Sequence, residues 1–155
     1  MSFRITGLPA AGFANLFRLS DAELRARMAL RCLVDRAHGY PCRISLTDAD
    51  PGQQVILTHY QHHDVDSPFR ASFAIYVREG EQQFDAIDQV PEQLRRRMLS
   101  LRGFDAQGLM VDCSLTAGAE MEQAVEGLLA NDRISYVHAH FAAAGCYAAR
   151  IERVT

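Results

Sequence analysis

The residues of this chain with the clearest chemical potential lie near its carboxyl end. His138 and His140 stand two apart in a strand-like run, and a loop ending at Gly145 leads to Cys146 and Arg150. Because the side chains of a strand alternate between its faces, an antiparallel pairing with His140 opposite Cys146 would place all four side chains on one surface. Imidazole, thiol and guanidinium groups together can hold a metal ion, form a nucleophile with its base, or bind an anion.

One interpretation of this group is a metal site. Two histidines at i and i+2 on a strand suit one zinc or iron ion, with Cys146, Cys42 or His59 as the third ligand. No acidic residue stands at a fixed spacing to complete a recognised site, so the alternative is a pair of histidines hydrogen-bonded within a polar patch of the sheet. The histidine- and aspartate-rich segment 59–66 is typical of a strand that ends in a solvated loop.

A second interpretation is thiol chemistry. Cys42 and Cys146 both lie at predicted strand starts, and if those strands are neighbours the two thiols could form a redox pair. Either could instead be a thiolate beside His140, so the catalytic candidates are Cys146, His140 and Cys42. The inert alternative is that they are buried thiols, since free cysteine is among the most buried residue types. Cys113, which alternates with Leu109, Val111 and Leu115, is predicted to lie in the core.

Recognition of a small anionic molecule needs the least special chemistry. Arg43, Arg70 and Arg150 lie in or beside predicted strands, and guanidinium groups in a concave site bind carboxylate or phosphate bidentately. With His59 they are the ligand-binding candidates, and this function is the leading hypothesis, with a metal- or thiol-dependent enzyme as the alternative. The predicted pocket is lined by Cys42, Arg43, His59, His138, His140, Cys146 and Arg150.

Composition excludes several other classes of protein. The chain has 155 residues, 48% hydrophobic and 23% charged, and its formal net charge of -3 gives no attraction to nucleic acid or anionic membranes. All 16 basic residues are arginine. The amino terminus lacks the pattern of a signal peptide, and there is no run of about 18 apolar residues. We therefore expect a cytoplasmic protein whose four cysteines are thiols.

Three helices are predicted from periodicity and caps. Ser20 and Glu23 form a capping box that opens a helix running to about Val34. A second helix is predicted from Pro91 to Gly103, with its arginine run 95–97 on a solvated face, and a third over roughly 119–130. A short helix is expected over about 9–17.

Seven strands are predicted between the helices, over 3–6, 42–46, 55–60, 72–78, 109–115, 134–141 and 146–153. Their order does not alternate regularly with helices, and several links are of hairpin length. The expected fold is a single α+β domain over 1–155, with an antiparallel or mixed sheet of about six to seven strands packed with three to four helices.

Five segments of the chain resemble the bacterial domain-of-unknown-function 1203 family. They are residues 3–9 (FRITGLP), 39–43 (GYPCR), 67–70 (SPFR), 99–105 (LSLRGFD) and 138–147 (HAHFAAAGCY). The resemblance covers nearly the whole chain and implies a bacterial protein, but it supplies no catalytic residues. Some members have a second cysteine three residues after the position of Cys146, where this chain has Ala149, so no C-x-x-C pair is available here.

Overall fold

The structure is a computed structural model that describes residues 1–155, and it is mostly sheet with three short α-helices. The strands are β1 (Phe3–Thr6), β2 (Ala29–Leu33), β3 (Gln54–His63), β4 (Ala71–Val77), β5 (Asp85–Ile87), β6 (Met98–Phe104), β7 (Met110–Ala117), β8 (Tyr136–Phe141) and β9 (Tyr147–Arg153). The α-helices are α1 (Asp21–Ala26), α2 (Glu92–Arg95) and α3 (Met121–Leu129). No helix has the length and apolar character that crossing a membrane requires.

The strands form two antiparallel sheets. The six-stranded sheet has the order β5-β1-β9-β8-β6-β7, and the three-stranded sheet has the order β2-β3-β4. The predicted mixture of helices and antiparallel strands is confirmed, but the expected single sheet is divided in two. This division matters for function because it creates an interior between the sheets.

The two faces of the six-stranded sheet differ in polarity. On β6, Leu99 and Leu101 are fully buried in the main core, where the apolar face of α3 also packs through Met121 and Val125. The period of two along the strand puts Ser100, next to Leu99, on the opposite face. The core therefore lies on one face of this sheet, and the polar side chains of β6 and β8 lie on the other.

The capping box at the start of α1 is confirmed. The hydroxyl oxygen of Ser20 accepts from the backbone N–H of Glu23 at 3.2 Å, and the backbone N–H of Ser20 donates to the Glu23 carboxylate at 3.3 Å. The predicted extension to Val34 is wrong, because Met28 has a φ of 56° in the left-handed region and β2 follows it. β2 buries part of its surface against β3, which the helical spacing did not reveal.

The prediction of one helix from Pro91 to Gly103 is also wrong. Only the four residues of α2 are helical, and β6 begins at Met98. Leu94, Met98 and Leu101 fit a helical period, yet Leu99 and Leu101 follow the period of two and pair with β8. The arginine run is not simply solvated, since Arg95 pairs with Glu122.

Two smaller expectations also need correction. Cys113 and Leu115 lie on the outer strand β7 and are exposed, Leu115 at 70%, so the core prediction for Cys113 is wrong. The segment 42–46 forms no strand and makes one isolated bridge, at Cys42, while the preceding Pro41 makes another. The third helix is confirmed as α3, and the short helix near 9–17 is present as two 3-10 turns.

Candidate functional site

The pairing of β8 with β9 determines which side chains share a surface. His138 lies opposite Arg150, but an irregularity after Ala139 shifts the register, so His140 lies opposite Tyr147. The expected pairing of His140 with Cys146 is therefore wrong. Cys146 belongs to the loop before β9.

A cluster of four histidines fills the space between the two sheets. His62 and His63 come from β3, and His138 and His140 come from β8. Ring centroids are 5.1 Å apart for His62 and His140, 5.0 Å for His63 and His138, and 6.3 Å for His138 and His140. Tyr147 stacks on His62 at 5.2 Å. We call these four residues the histidine cluster.

Sequence reasoning missed half of this cluster. His62 and His63 were assigned to a solvated loop, but β3 runs to His63 and buries it. For His62 the available signal was the alternation of the strand, which puts it on the same face as Thr58 and Tyr60. For His63 there was none, because the register of β3 shifts between Tyr60 and His63.

The hydrogen bonds of the cluster distinguish its members. His63 donates from Nδ1 to the Phe69 carbonyl at 2.8 Å and accepts at Nε2 from the Tyr136 hydroxyl at 2.6 Å, so its ring is satisfied. His140 donates from Nδ1 to the Gly145 carbonyl at 2.9 Å. The Nδ1 atoms of His62 and His138 are buried and have no partner. Two imidazole nitrogens are thus free to meet a ligand or water.

Burial disfavours the charged forms of three of these rings, those of His62, His138 and His140. Desolvation, with smaller contributions from His63, His140 and Arg150, lowers the pKa of His138 to about 2. It lowers the pKa of His140 to about 3 and that of His62 to about 4, and the charge of Arg102 adds to both shifts. No group of three or more histidine, cysteine or acidic side chains is arranged to hold a metal ion.

The histidine cluster borders a small cavity of about 190 Å³, which we call the histidine cavity. All four histidines of the cluster line it, and two arginines, Arg70 and Arg102, complete its polar lining. Arg102 donates from Nε to the Ser100 hydroxyl at 3.3 Å and takes part in no ion pair. The lining is rich in nitrogen donors and contains no carboxylate.

A second and larger cavity of about 510 Å³ lies beside the loop that joins β8 to β9, and we call it the large cavity. Ten of its fifteen lining residues are hydrophobic, among them Phe73, Tyr76 and Phe141. Its polar lining comes from His38, Arg43, Arg97 and Cys146, again without a carboxylate.

Arg43 is the only buried arginine of the chain, with 1% of its surface exposed. It donates from Nε to the Tyr147 carbonyl at 2.7 Å and from Nη1 to the Pro41 carbonyl, and its guanidinium lies 4.8 Å from the centroid of Phe141. It pairs with no carboxylate. Burial lowers the pKa of Arg43, and the nearby Cys146 opposes that shift.

Cys42 lies in a different environment from its neighbour Arg43. Its side chain packs with Val34, Ala49 and Val55, and its thiol donates to the Tyr40 carbonyl at 3.6 Å. Burial raises the pKa of the Cys42 thiol. All four cysteines are free, and of the three catalytic candidates, Cys146, His140 and Cys42, only Cys146 lines the large cavity.

The remaining predicted residues are dispersed. His59 is exposed and shares a 3.0 Å hydrogen bond with Ser72. Arg70 lies 3.6 Å from each of two exposed aspartates, Asp64 and Asp66, at the edge of the histidine cavity.

Arg150 pairs with Glu152 at 2.6 Å and covers the Tyr136 ring at 4.1 Å. The single pocket expected from the sequence is therefore two cavities, one with His138 and His140 and one with Arg43 and Cys146. Arg97, which sequence reasoning placed on a solvated face, lines the large cavity and pairs with Asp48 at 3.0 Å. No spacing in the sequence could signal that contact, since the partners are far apart along the chain.

Together these features define an α+β protein of two antiparallel sheets with a polar interior between them and an arginine-lined apolar cavity beside it. The chain belongs to the DUF1203 family, whose model, described as "Protein of unknown function (DUF1203)", matches residues 39–153. That range includes every lining residue of both cavities except His38. No match is found among the curated proteins or among the solved structures.

Proposed function

We propose that this protein binds a small organic acid in the large cavity, with Arg43 as the counter-charge for its carboxylate. The single observation that carries the proposal is the burial of the Arg43 guanidinium without any acidic partner. Removing a charged group from water is costly unless an opposite charge compensates it. Two carbonyl oxygens and the Phe141 ring compensate Arg43 in part, and an anionic ligand would complete the set.

The walls of the large cavity favour a ligand with an apolar body. Phe73, Tyr76, Met98 and Phe141 contribute hydrophobic or aromatic surface, and a volume of about 510 Å³ suits an organic molecule better than an inorganic ion. Aromatic walls and one oriented charged group are a common basis for affinity and specificity in small-molecule sites.

The charge of the large cavity supports an anion rather than a cation. Arg97 lies over the Phe141 ring, 5.1 Å from its centroid, so two guanidinium groups flank the same aromatic side chain. Arg97 is already paired with Asp48, whereas Arg43 is not. We therefore assign the ligand carboxylate to Arg43 and give Arg97 a supporting electrostatic role.

One observation favours a second candidate function, which is nucleophilic catalysis by Cys146. The Cys146 thiol lines the large cavity close to the Arg43 guanidinium, and cysteine is an intrinsically strong nucleophile. His38 is the one histidine that lines the large cavity, and it makes no hydrogen bond with Cys146, so the thiol has no base as a partner. Ligand binding without turnover remains the better supported function.

Isothermal titration calorimetry with phenylacetate and phenylacetamide tests the proposal directly. The two molecules share an aromatic body and differ in charge, so a carboxylate site should bind phenylacetate at least about tenfold more tightly. Equal affinity for both, or binding of neither, would remove the support for an organic-acid site.

Two substitutions give the matched comparison. Arg97→Met should weaken phenylacetate binding, while Arg25→Met, at an exposed arginine of α1 with no ion pair, should leave it unchanged. Cys146→Ser should retain binding, since the thiol is not needed for the carboxylate contact. Turnover of an ester of the same acid that disappears in Cys146→Ser would instead support the thiol enzyme.

A further inference from the structure

We propose that the histidine cavity is a second and separate binding site, for a compact oxoanion of the phosphate type. The site lies between the sheets, with His62 and His63 on β3, His138 and His140 on β8, and Arg102 on β6. It shares no lining residue with the large cavity, so it stands or fails independently of the organic-acid site.

The first argument is the balance of charge. Two arginines line the cavity and no aspartate or glutamate does, so every formal charge at its surface is positive. Arg70 has acidic neighbours, but Asp64 and Asp66 are exposed and lie outside the cavity. Arg102 has no carboxylate partner at all, and its Nε contacts only the Ser100 hydroxyl.

The second argument is the pair of unsatisfied imidazole nitrogens. His138 is 3% exposed, borders the cavity, and has a buried Nδ1 without a hydrogen-bond partner. The Nδ1 of His62 is likewise buried without a hydrogen-bond partner, and the ring centroids of His62 and His138 are 6.4 Å apart. A buried polar nitrogen left without a partner costs free energy, and an oxoanion with several acceptor oxygens could accept from both N–H groups and from Arg102.

The same arrangement opposes a metal cation. The guanidinium of Arg102 disfavours positive charge at His62 and His140, and both effects appear as lowered basicity of those rings. Neither a thiol nor a carboxylate lines the cavity to compensate for a cation, and a volume of about 190 Å³ accommodates an ion larger than a bare metal. The donor set therefore fits an oxoanion better than zinc or iron.

Titration with inorganic phosphate, followed by calorimetry at pH 7, tests this site. Arg102→Met keeps much of the side-chain length and removes the charge, and it should weaken phosphate binding at least about tenfold. Arg133→Met, at an exposed arginine without an ion pair, should bind like the original protein. Nuclear magnetic resonance of imidazole ¹⁵N nuclei should show phosphate-dependent shifts at the Nδ1 atoms of His62 and His138, and smaller ones at His63.

Three results would overturn the inference. One is the absence of binding at millimolar phosphate in the original protein, and another is equal phosphate affinity in Arg102→Met and Arg133→Met. The third is tight binding of Zn²⁺ alone that becomes stronger in Arg102→Met, which would make the cavity a cation site. If Arg102→Met fails to fold, the ¹⁵N shifts in the original protein still decide the outcome.

Discussion

Cys42 and Arg43 are consecutive residues whose side chains have different surroundings. Cys42 points into a small apolar cluster, and Arg43 reaches the large cavity. The sequence indicated both as site residues because both were placed in a strand over 42–46. That segment is irregular, so the period of two could not decide which side chain faces which space.

We expect three of the four thiols, those of Cys113, Cys146 and Cys42, to differ in reactivity. Cys113 is exposed and should react readily with iodoacetamide, and Cys146, which is partly exposed, should react more slowly. Cys42 should stay unmodified in the folded protein, because it is fully buried and burial disfavours its thiolate. Mass spectrometry of peptides after timed labelling measures each site, and modification of Cys42 as fast as Cys113 would contradict the structure.

Substitution by alanine should have opposite effects on stability at two glycines, because one is closely packed and the other is not. A Cβ at Gly118 would lie 1.8 Å from the Leu94 carbonyl oxygen, where α2 meets the turn before α3. A Cβ at Gly127, on the exposed side of α3, would meet nothing within 4 Å.

Gly118→Ala should therefore lower the free energy of unfolding by about 2 kcal/mol or more, since backbone must shift to admit the methyl group. Gly127→Ala should raise it by about 0.5 to 1 kcal/mol through its higher helix propensity. Urea denaturation of both variants measures the two changes. A loss of stability in Gly127→Ala similar to that in Gly118→Ala would show that the contact at Leu94 is not the cause.

At the scale of elements, local signals predicted what depends on local contacts. The capping box at Ser20, the apolar face of α3 and six of the seven strands follow from neighbouring residues and are present nearly as expected, the last two with a shifted register. β2 and β6 were predicted as helices because their apolar residues fit both periods, and the pairing with β3 and β8 decided the outcome. The register shift after Ala139 depends on the geometry of the loop between β8 and β9, which the pattern of residues does not predict.

For the whole molecule, the histidine cluster is a buried contact between the two sheets, and burial disfavours the charged forms of His62, His138 and His140 there. Unfolded histidines have a pKa near 6.5, and the folded values of His62, His138 and His140 are about 4, 2 and 3. Unfolding at pH 5 must therefore take up protons. Stability is fully present above about pH 6.5 and is lost as the pH falls toward the folded-state values.

We expect the free energy of unfolding to fall by on the order of 3 kcal/mol between pH 7 and pH 5, with His62 contributing least because solvent screens it. Urea denaturation across this range measures the slope. His138→Phe should make the slope shallower, whereas His59→Asn, at an exposed histidine, should not change it. A flat profile in the original protein would mean that the cluster is hydrated enough to accept protons.

The residues that sequence analysis placed in one pocket lie in two cavities, for which we propose different ligands. Arg43 and Cys146 belong to an apolar cavity open to organic ligands, and His138 and His140 belong to a polar cavity between the sheets. Both cavities are lined by arginine and lack carboxylates, and this shared feature is the reason that we propose an anionic ligand for each of them.

The most direct test of the central claim is a crystal structure of the protein grown with phenylacetate. We expect the carboxylate to lie about 3 Å from the guanidinium nitrogens of Arg43, with the ring against Phe141 and Tyr76. Phenylacetate bound with its ring toward Arg43 and its carboxylate in solvent, or an empty large cavity at saturating ligand, would contradict the assignment of Arg43 as the counter-charge.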